Sequence, residues 1–370
     1  MRITRRMRAV GIVASATLAL VACGTDENPG SISGNENSDA SCQGKETLAA
    51  SGSSAQVNAM TRFVATYESV CPGKTLNYNS SGSGAGVSDF IGGQTDFAGS
   101  DSPLNEEKGE VADAKERCDG NDAWHLPAVF GPIAISYNVE GVDNLALDGA
   151  TLAKIFNGDI TKWNDPAIAE LNGGVTLPDT NIRVVYRNDQ SGTTDNFQKY
   201  LGTASGDAWG KGDGKTFNGG VGEGAKGNEG VTAAVKRTPG SITYNEWSFS
   251  KLNELSIADI INAGGGEPVE LNTESAGKAI DAAEIKGKGN DLVLDLDSIY
   301  GADAEGAYPI ILATYEIVCS SYADPEVAAA VKSFLTVAIT GGQQGLEEDG
   351  YIPVPAAFQE KLRTAVEAIS

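Results

Sequence analysis

The chain has 370 residues, of which 41% are hydrophobic and 21% charged, enough apolar material for a large core and too much for a disordered segment. Its 50 Asp and Glu outnumber 27 Lys and Arg, a formal net charge of −23, so it lacks the basic face that nucleic-acid binding requires. The length exceeds the commonest single-domain size and points to two lobes, while 46 glycines without a Gly-X-Y period point to many tight turns rather than to collagen.

Arg2, Arg5, Arg6 and Arg8 precede a short apolar stretch at 9–20, too short for a typical membrane span. It ends in Leu20-Val21-Ala22-Cys23, which resembles a bacterial lipobox. That resemblance implies a signal peptide over 1–22, cleavage before Cys23, and lipid on the Cys23 sulfur. The mature protein is then extracytoplasmic and anchored to the cell membrane. No later run of ~20 apolar residues offers a second span. Residues 23–44 are polar and read as a flexible tether, with folding expected from about Lys45. Four cysteines remain, Cys42, Cys71, Cys118 and Cys319, and an even number in an exported chain suggests two disulfides. Three pairings are open; Cys42–Cys71 with Cys118–Cys319 is favoured on plausibility alone. A zinc site is disfavoured by the missing Cys-x-x-Cys and by a single histidine, His125.

From there strand-like and helix-like stretches alternate. Strands are expected at 47–50, 76–79, 96–99, 132–138, 182–186, 242–244 and 310–319. Helices are expected at 57–70, through 87–91, at 152–157, 194–201, 231–236 and 326–335. Residues 202–230 are crowded with glycine and read as one long loop. The rhythm implies an α/β fold with largely parallel strands.

Four short segments follow a strand and lead into a helix or turn, and all are rich in Ser, Thr, Gly or Asp. They are ASGSS at 50–54, SSGSGAG at 80–86, GSDSP at 99–103 and RNDQSGTT at 187–194. A helix start leaves backbone N–H groups unpaired at the positive end of its dipole. Glycine lets an anion approach them, and Ser and Thr add hydroxyl donors. Such starts, converging, make a cage of neutral donors for an oxyanion, acting at short range where the acidic surface matters little. Taken singly, each segment also reads as ordinary helix capping. Arg187 adds a charge able to hold two oxygens, and Asp189 stands two residues on, able to orient it. Nucleotide motifs fail: Val87 replaces the third glycine of a dinucleotide fingerprint, and Glu68 and Trp209 replace the first glycine of two would-be P-loops.

The ordered set NSSGSGAGV at 79–87, TDFAGSD at 95–101, RNDQSGTTDNF at 187–197 and GNEGV at 227–231 resembles the periplasmic phosphate-binding proteins of high-affinity phosphate ABC importers. IFNGDITKWNDPAI at 155–168 and PGSITY at 239–244 extend the likeness over the whole chain from about Leu48. The resemblance implies a two-lobed class II periplasmic-binding-protein-like fold, with lobe I at 45–129 plus 310–370, lobe II at 130–309, and the ligand cleft between them. It implies a monomeric, non-enzymatic solute-binding protein that passes inorganic phosphate to permease subunits with a cytoplasmic ATPase. It also implies phosphate-binding roles for Ser54, Ala55, Ser83, Asp101, Arg187, Asp189, Ser191, Gly192 and Thr193. Ala55 stands where the family has a bulky aromatic, which alters that edge of the pocket.

Asp101 bears on ligand choice. A carboxylate beside an anion repels it unless a proton lies between them. Phosphate carries such a proton at neutral pH and sulfate does not, so a buried Asp101 favours phosphate by several kcal/mol on the order of an unpaired buried acceptor. Other readings are a binder of sulfate or molybdate, or a phosphatase-like enzyme using Ser191. The latter lacks a histidine in its segment, and His125 reads as a structural residue at a lobe crossover. A second role as adhesin or antigen finds nothing specific in the sequence.

Overall fold

The computed structural model describes residues 40–301 and 303–370. The signal peptide expected over 1–22, the lipid site expected at Cys23 and most of the expected tether lie outside the described residues. Strands β1 (Thr47–Gly52), β2 (Thr75–Asn79) and β3 (Phe97–Ser100) alternate with helices α1 (Val57–Val70) and α2 (Ser83–Ile91), and α3 (Glu110–Arg117) follows. The 16-residue β4 (Ala123–Asn138) leads to β5 (Ala146–Asp148), α4 (Gly149–Asn157) and α5 (Pro166–Leu171). Next come β6 (Arg183–Arg187), α6 (Gly192–Ala204), β7 (Glu223–Ala225), α7 (Gly227–Arg237), β8 (Ser241–Glu246) and α8 (Trp247–Asn253). Short elements β9 (Ser256–Ile257), β10 (Asp259–Ile261), α9 (Thr273–Ile280), β11 (Glu284–Ile285), β12 (Leu294–Asp295) and α10 (Asp297–Tyr300) bring the chain back to β13 (Ile311–Cys319). Helices α11 (Pro325–Ile339), α12 (Leu346–Asp349) and α13 (Ala356–Glu367) complete it. Among the described residues no helix is long and apolar enough to cross a membrane.

The main sheet runs β2-β1-β3-β13-β4-β8-β6-β7. Its flanks are parallel: β1 pairs with β2 and β3, and β6 with β7 and β8. The expectation of largely parallel strands fails in the centre, where β13 pairs antiparallel with β3 and β4, and β4 antiparallel with β8. The reason is the route of the chain. β4 carries it from the first flank into the second and β13 carries it back, so two strands of opposite sense lie side by side. Both are buried along nearly their whole length, so neither shows the alternating pattern of a strand with one wet face.

Apolar helix faces cover the sheet. In α1, Ala59, Met60, Phe63 and Tyr67 are buried, and Tyr67 meets Phe334 of α11 edge-on at 5.4 Å. In the other flank Phe197 of α6 stacks on Tyr244 of β8 at 4.4 Å, with Phe156 of α4 at 4.8 Å from Phe197. These aromatic contacts seat α6 against the sheet and thereby fix its first turn.

The loop expected over 202–230 is shorter than that. Helix α6 runs to Ala204, and β7 and the start of α7 lie within the stretch. The remainder is pinned, since the buried Gln198 donates to the Gly214 and Thr216 carbonyls at 2.8 and 3.0 Å. Residues 41–44, expected in the tether, are also held. Ser41 Oγ lies 3.1 Å from Ser333 Oγ, and the Lys74 ammonium donates to the Gly44 carbonyl. The disulfides are Cys42–Cys71 and Cys118–Cys319, with Cα atoms 5.3 and 5.4 Å apart.

Cys118–Cys319 joins residues 201 apart, tying the end of α3 to the end of β13. Replacing both cysteines by serine is expected to lower stability by about 2–5 kcal/mol, the usual loss for a native disulfide. A lowered urea midpoint with an intact native fold checks this; an unchanged midpoint contradicts it.

Candidate anion-binding cleft

The parallel flanks point the C-terminal ends of β1, β2 and β3 at those of β6 and β7, and the helix starts follow from that. The turn after β1 carries Ser54 and Ala55 into α1. Ser83 is the first residue of α2, Asp101 follows β3, and Arg187 ends β6. Gly192 and Thr193 open α6, and Gly227 and Asn228 open α7. Ser54, Ala55, Ser83, Asp101, Arg187, Ser191, Gly192 and Thr193 are all buried, and Asp189 is half-buried.

Asp101 is the junction. Its Oδ1 accepts from Thr314 Oγ1 of β13 at 2.8 Å and its Oδ2 from Thr193 Oγ1 of α6 at 3.3 Å. Its own N–H donates to Ser83 Oγ at 3.2 Å, and its carbonyl accepts from Asn196 Nδ2 at 2.7 Å. Burial raises its pKa, while hydroxyls of Ser53, Thr314 and Thr193 and the Arg187 charge oppose the rise. Gly192 makes this closeness possible: a Cβ there would lie 2.6 Å from both Asp101 Cβ and Ser83 Oγ.

Arg187 gives two of its nitrogens to Asp189, Nε to Oδ1 at 2.7 Å and Nη2 to Oδ2 at 2.5 Å. Its Nη1 turns to Thr193 Oγ1 at 3.4 Å. Burial would raise the Asp189 pKa, but the Arg187 hydrogen bonds and charge, with the Gly227 N–H at 3.1 Å, hold it below the usual carboxylate range. Across the cleft Ser54 Oγ accepts from the N–H and the side-chain amide of Asn228, at 3.0 and 3.1 Å. Neutral donors, one guanidinium and one buried carboxyl thus converge from both flanks, a constellation suited to an oxyanion.

Residues 37–340 match the PBP superfamily domain. Over its full length the chain is 57% identical to phosphate-binding protein PstS 3 of Mycobacterium tuberculosis, covering 100% of each sequence. It is 32% identical to phosphate-binding protein PstS of Pasteurella multocida, over 86% of this chain and 89% of that one. The chain belongs to the PstS phosphate-binding protein family. The fold is shared with solved structures, among them a high affinity periplasmic phosphate-binding protein, PfluDING, solved with phosphate (TM-score 0.70, 22% identity, 86% of this chain and 93% of that one). A phosphate-binding protein from Stenotrophomonas maltophilia gives a TM-score of 0.66 at 20% identity, over 86% and 94% of the two chains.

In this PstS-family cleft all nine residues singled out from the sequence lie at or beside the converging strand ends, and two of them make local bonds. The Ala55 N–H donates to Ser53 Oγ at 3.0 Å. Ser191 caps α6, its Oγ accepting from the Thr194 N–H at 3.1 Å, the local bond that serine makes at any helix start. His125 bridges Leu104, whose N–H it accepts at 2.9 Å, and Asp291, 2.7 Å from its Nδ1, which is a structural use. Sequence reasoning missed Asn228, Asn196 and Thr314. Asn228 stood in the quoted GNEGV, but the expected helix began at Val231, four residues late, because glycines flank it. Thr314 lay inside an apolar run, where a buried polar residue is itself a signal.

Gly192→Ala is expected to lower stability by about 1–3 kcal/mol, the range for overpacking a filled site. Gly202→Ala in the same helix meets open space and is expected to hold or raise it by up to about 1 kcal/mol. Urea midpoints of the two variants check the contrast, which disappears if Gly192 is merely a helix residue.

Proposed function

We propose that the mature protein captures inorganic phosphate in this cleft and delivers it to the membrane subunits of an ABC permease powered by a cytoplasmic ATPase. In this reading it acts as an extracytoplasmic monomer held at the cell membrane by lipid on Cys23. Family membership supports phosphate as the ligand. The observation that carries the reading is a buried carboxyl, Asp101, set among donors within reach of the same anion. Neutral donors alone serve any oxyanion; an acceptor among them favours one that still bears a proton.

Arg187 faces the ligand with Nη1 while Asp189 braces the rest of the guanidinium. Hydroxyls of Ser54, Ser83 and Thr193 and the N–H groups at the starts of α2, α6 and α7 complete the cage, with Ser191, Gly192 and Ala55 forming its walls. Asn228 joins this set, since its amide already reaches both Ser54 and Thr193. The two lobes are 45–129 with 310–370 and 130–309, supported by the change from parallel flanks to an antiparallel centre. Closure of the lobes over phosphate gives the permease a distinct shape to recognise. The phosphatase reading gains no support, because the chain's one histidine, His125, is bonded to Leu104 and Asp291 rather than to Ser191.

The selectivity argument has a pH sign. Burial raises the Asp101 pKa, so above that value it accepts only, and as the pH falls through it the carboxyl gains a proton and can donate. Phosphate-over-sulfate selectivity is therefore expected to be greatest well above the raised pKa and to shrink on acidification. Asp101→Asn, always able to donate, is expected to lose about a hundredfold or more of a discrimination that reaches ~10⁴ in sites built around a ligand hydrogen. Calorimetric titration with phosphate and sulfate decides it: unchanged selectivity in the variant removes Asp101 from this role, and tighter binding of sulfate or molybdate than phosphate by the unmodified protein overturns the ligand assignment.

A further inference from the structure

Behind the cleft lie three buried polar side chains that the binding scheme does not use. They are Glu246 at the end of β8, Ser248 in the first turn of α8, and Tyr351 just after α12. Groups so far from water are held by the bonds they make, and these bonds lead back to the cage. The Glu246 N–H donates to Asn228 Oδ1 at 2.9 Å. A backbone N–H can only donate, so Asn228 turns its oxygen to Glu246 and its NH2 to Ser54 and Thr193. The Glu246 carboxyl caps α8, accepting from the Ser248 N–H at 3.0 Å and from the Ser248 hydroxyl. Ser248 Oγ in turn lies 3.1 Å from Tyr351 Oη, and the Tyr351 hydroxyl donates to the Ala55 carbonyl at 2.7 Å. Ala55 follows Ser54, so the bonds form a closed circuit.

Three further contacts fix how Tyr351 reaches Ser248. Gly350 has φ +96° and no side chain; a Cβ there would lie 3.1 Å from Ser248 Cα and 3.2 Å from its nitrogen. Ile352, on the other side of Tyr351, donates its N–H to the Phe130 carbonyl at 2.9 Å, where β4 passes from one flank to the other. Asn58, one turn into α1 from Ser54, donates its Nδ2 to Ser248 Oγ at 2.8 Å. The start of α1 and the start of α8 are therefore tied to each other beside the crossing strand.

We infer that Tyr351 is a positioning residue for the anion: by tying the Ala55 carbonyl to Ser248 it seats Ser54 against Asn228 and so sets the Ser54 hydroxyl as a donor to the ligand. A serine hydroxyl has one proton and two lone pairs. Asn228 approaches the Ser54 oxygen twice, through its N–H at 3.0 Å and its side-chain amide at 3.1 Å. Both lone pairs are then taken, and the proton is the part of the hydroxyl that meets an oxyanion. Without the Tyr351 bond the Ala55 carbonyl is left buried and unpaired, and the turn shifts to satisfy it. Ser54 then moves off Asn228, its oxygen can face the anion, and a donor of the cage becomes an acceptor. Tyr351 touches no ligand in this scheme; its whole effect passes through Ser54.

The inference rests on the binding site proposed above, and the experiment separates the two. Phosphate affinity is measured by titration calorimetry for the unmodified protein, Tyr351→Phe, Ser54→Ala and the double variant. Tyr351→Phe keeps the buried ring and removes only the hydroxyl; its Kd for phosphate is expected to rise about tenfold. Ser54→Ala is expected to lose about tenfold or more by itself, and adding Tyr351→Phe to it to cost at most about twofold further, because the residue through which Tyr351 acts is already gone. A Tyr351→Phe loss of equal size with and without Ser54 makes Tyr351 a general stabiliser and overturns the inference, and so does an unchanged Kd in Tyr351→Phe or in Ser54→Ala. Should Tyr351→Phe not fold, Asn58→Ala on the partly exposed side of α1 takes its place. It is expected to weaken binding about threefold, again only where Ser54 is present, and equal losses in both backgrounds overturn the inference. Absence of phosphate binding by the unmodified protein overturns the site instead.

Discussion

Asp101 is almost wholly withdrawn from water, and a carboxyl in that position is tolerable only while donors hold it. Those donors come from different parts of the chain: Thr314 from β13, Thr193 from the start of α6, and through its carbonyl Asn196 one turn further along α6. Two flanks of one sheet are thereby fastened to a single side chain. The requirement propagates outward. Thr193 reaches Asp101 because Gly192 has no side chain, and Asn196 is steadied by Tyr300, whose hydroxyl donates to its Oδ1 at 2.5 Å. Tyr244 in turn holds Thr194 at 2.7 Å and receives the Arg187 N–H at 3.3 Å, so the helix start and the strand end move as a unit.

The charge of the whole molecule and the charge of the cleft are separate matters. Arg187 is the cation in the cage, but Asp189 covers two of its nitrogens and cancels most of its field. Little net positive charge is left to offset a chain carrying −23. What remains is short-range: hydroxyls, amides and the first turns of α2, α6 and α7. These act within a few ångströms, inside the distance over which salt screens the distant acids. The acidic surface sets how fast an anion arrives, and the cage sets how well it is held.

The sequence was most legible where local chemistry and position coincide. The 57–70 helix appears with the bounds its apolar spacing implied, and Ser83, Asp101, Arg187 and Thr193 meet because a strand end followed by a Gly- or Ser-led helix is a local pattern. The antiparallel centre was not legible, since β4 and β13 are buried throughout and buried strands lack a period that tells sense or partner. Ser191 illustrates the opposite limit: one residue type serves a cap and an anion equally well, and only the Thr194 N–H beside it decides its present use.

Affinity and choice fall to different groups in this cleft. The donors that would meet an anion are already bonded to one another, Asn228 to Ser54 and to Thr193, so an entering oxyanion exchanges one set of hydrogen bonds for another rather than adding a new one. Donors of this kind accept phosphate, sulfate or molybdate alike, since each offers oxygens at similar spacing. Discrimination must then come from the acceptors, and a site can hold few of them before their charges expel every anion. Asp101 is one acceptor aimed inward. Asp189 is neutralised by Arg187, and Glu246 is turned to Ser248. Burial raises the Glu316 pKa to about 8, toward the uncharged form.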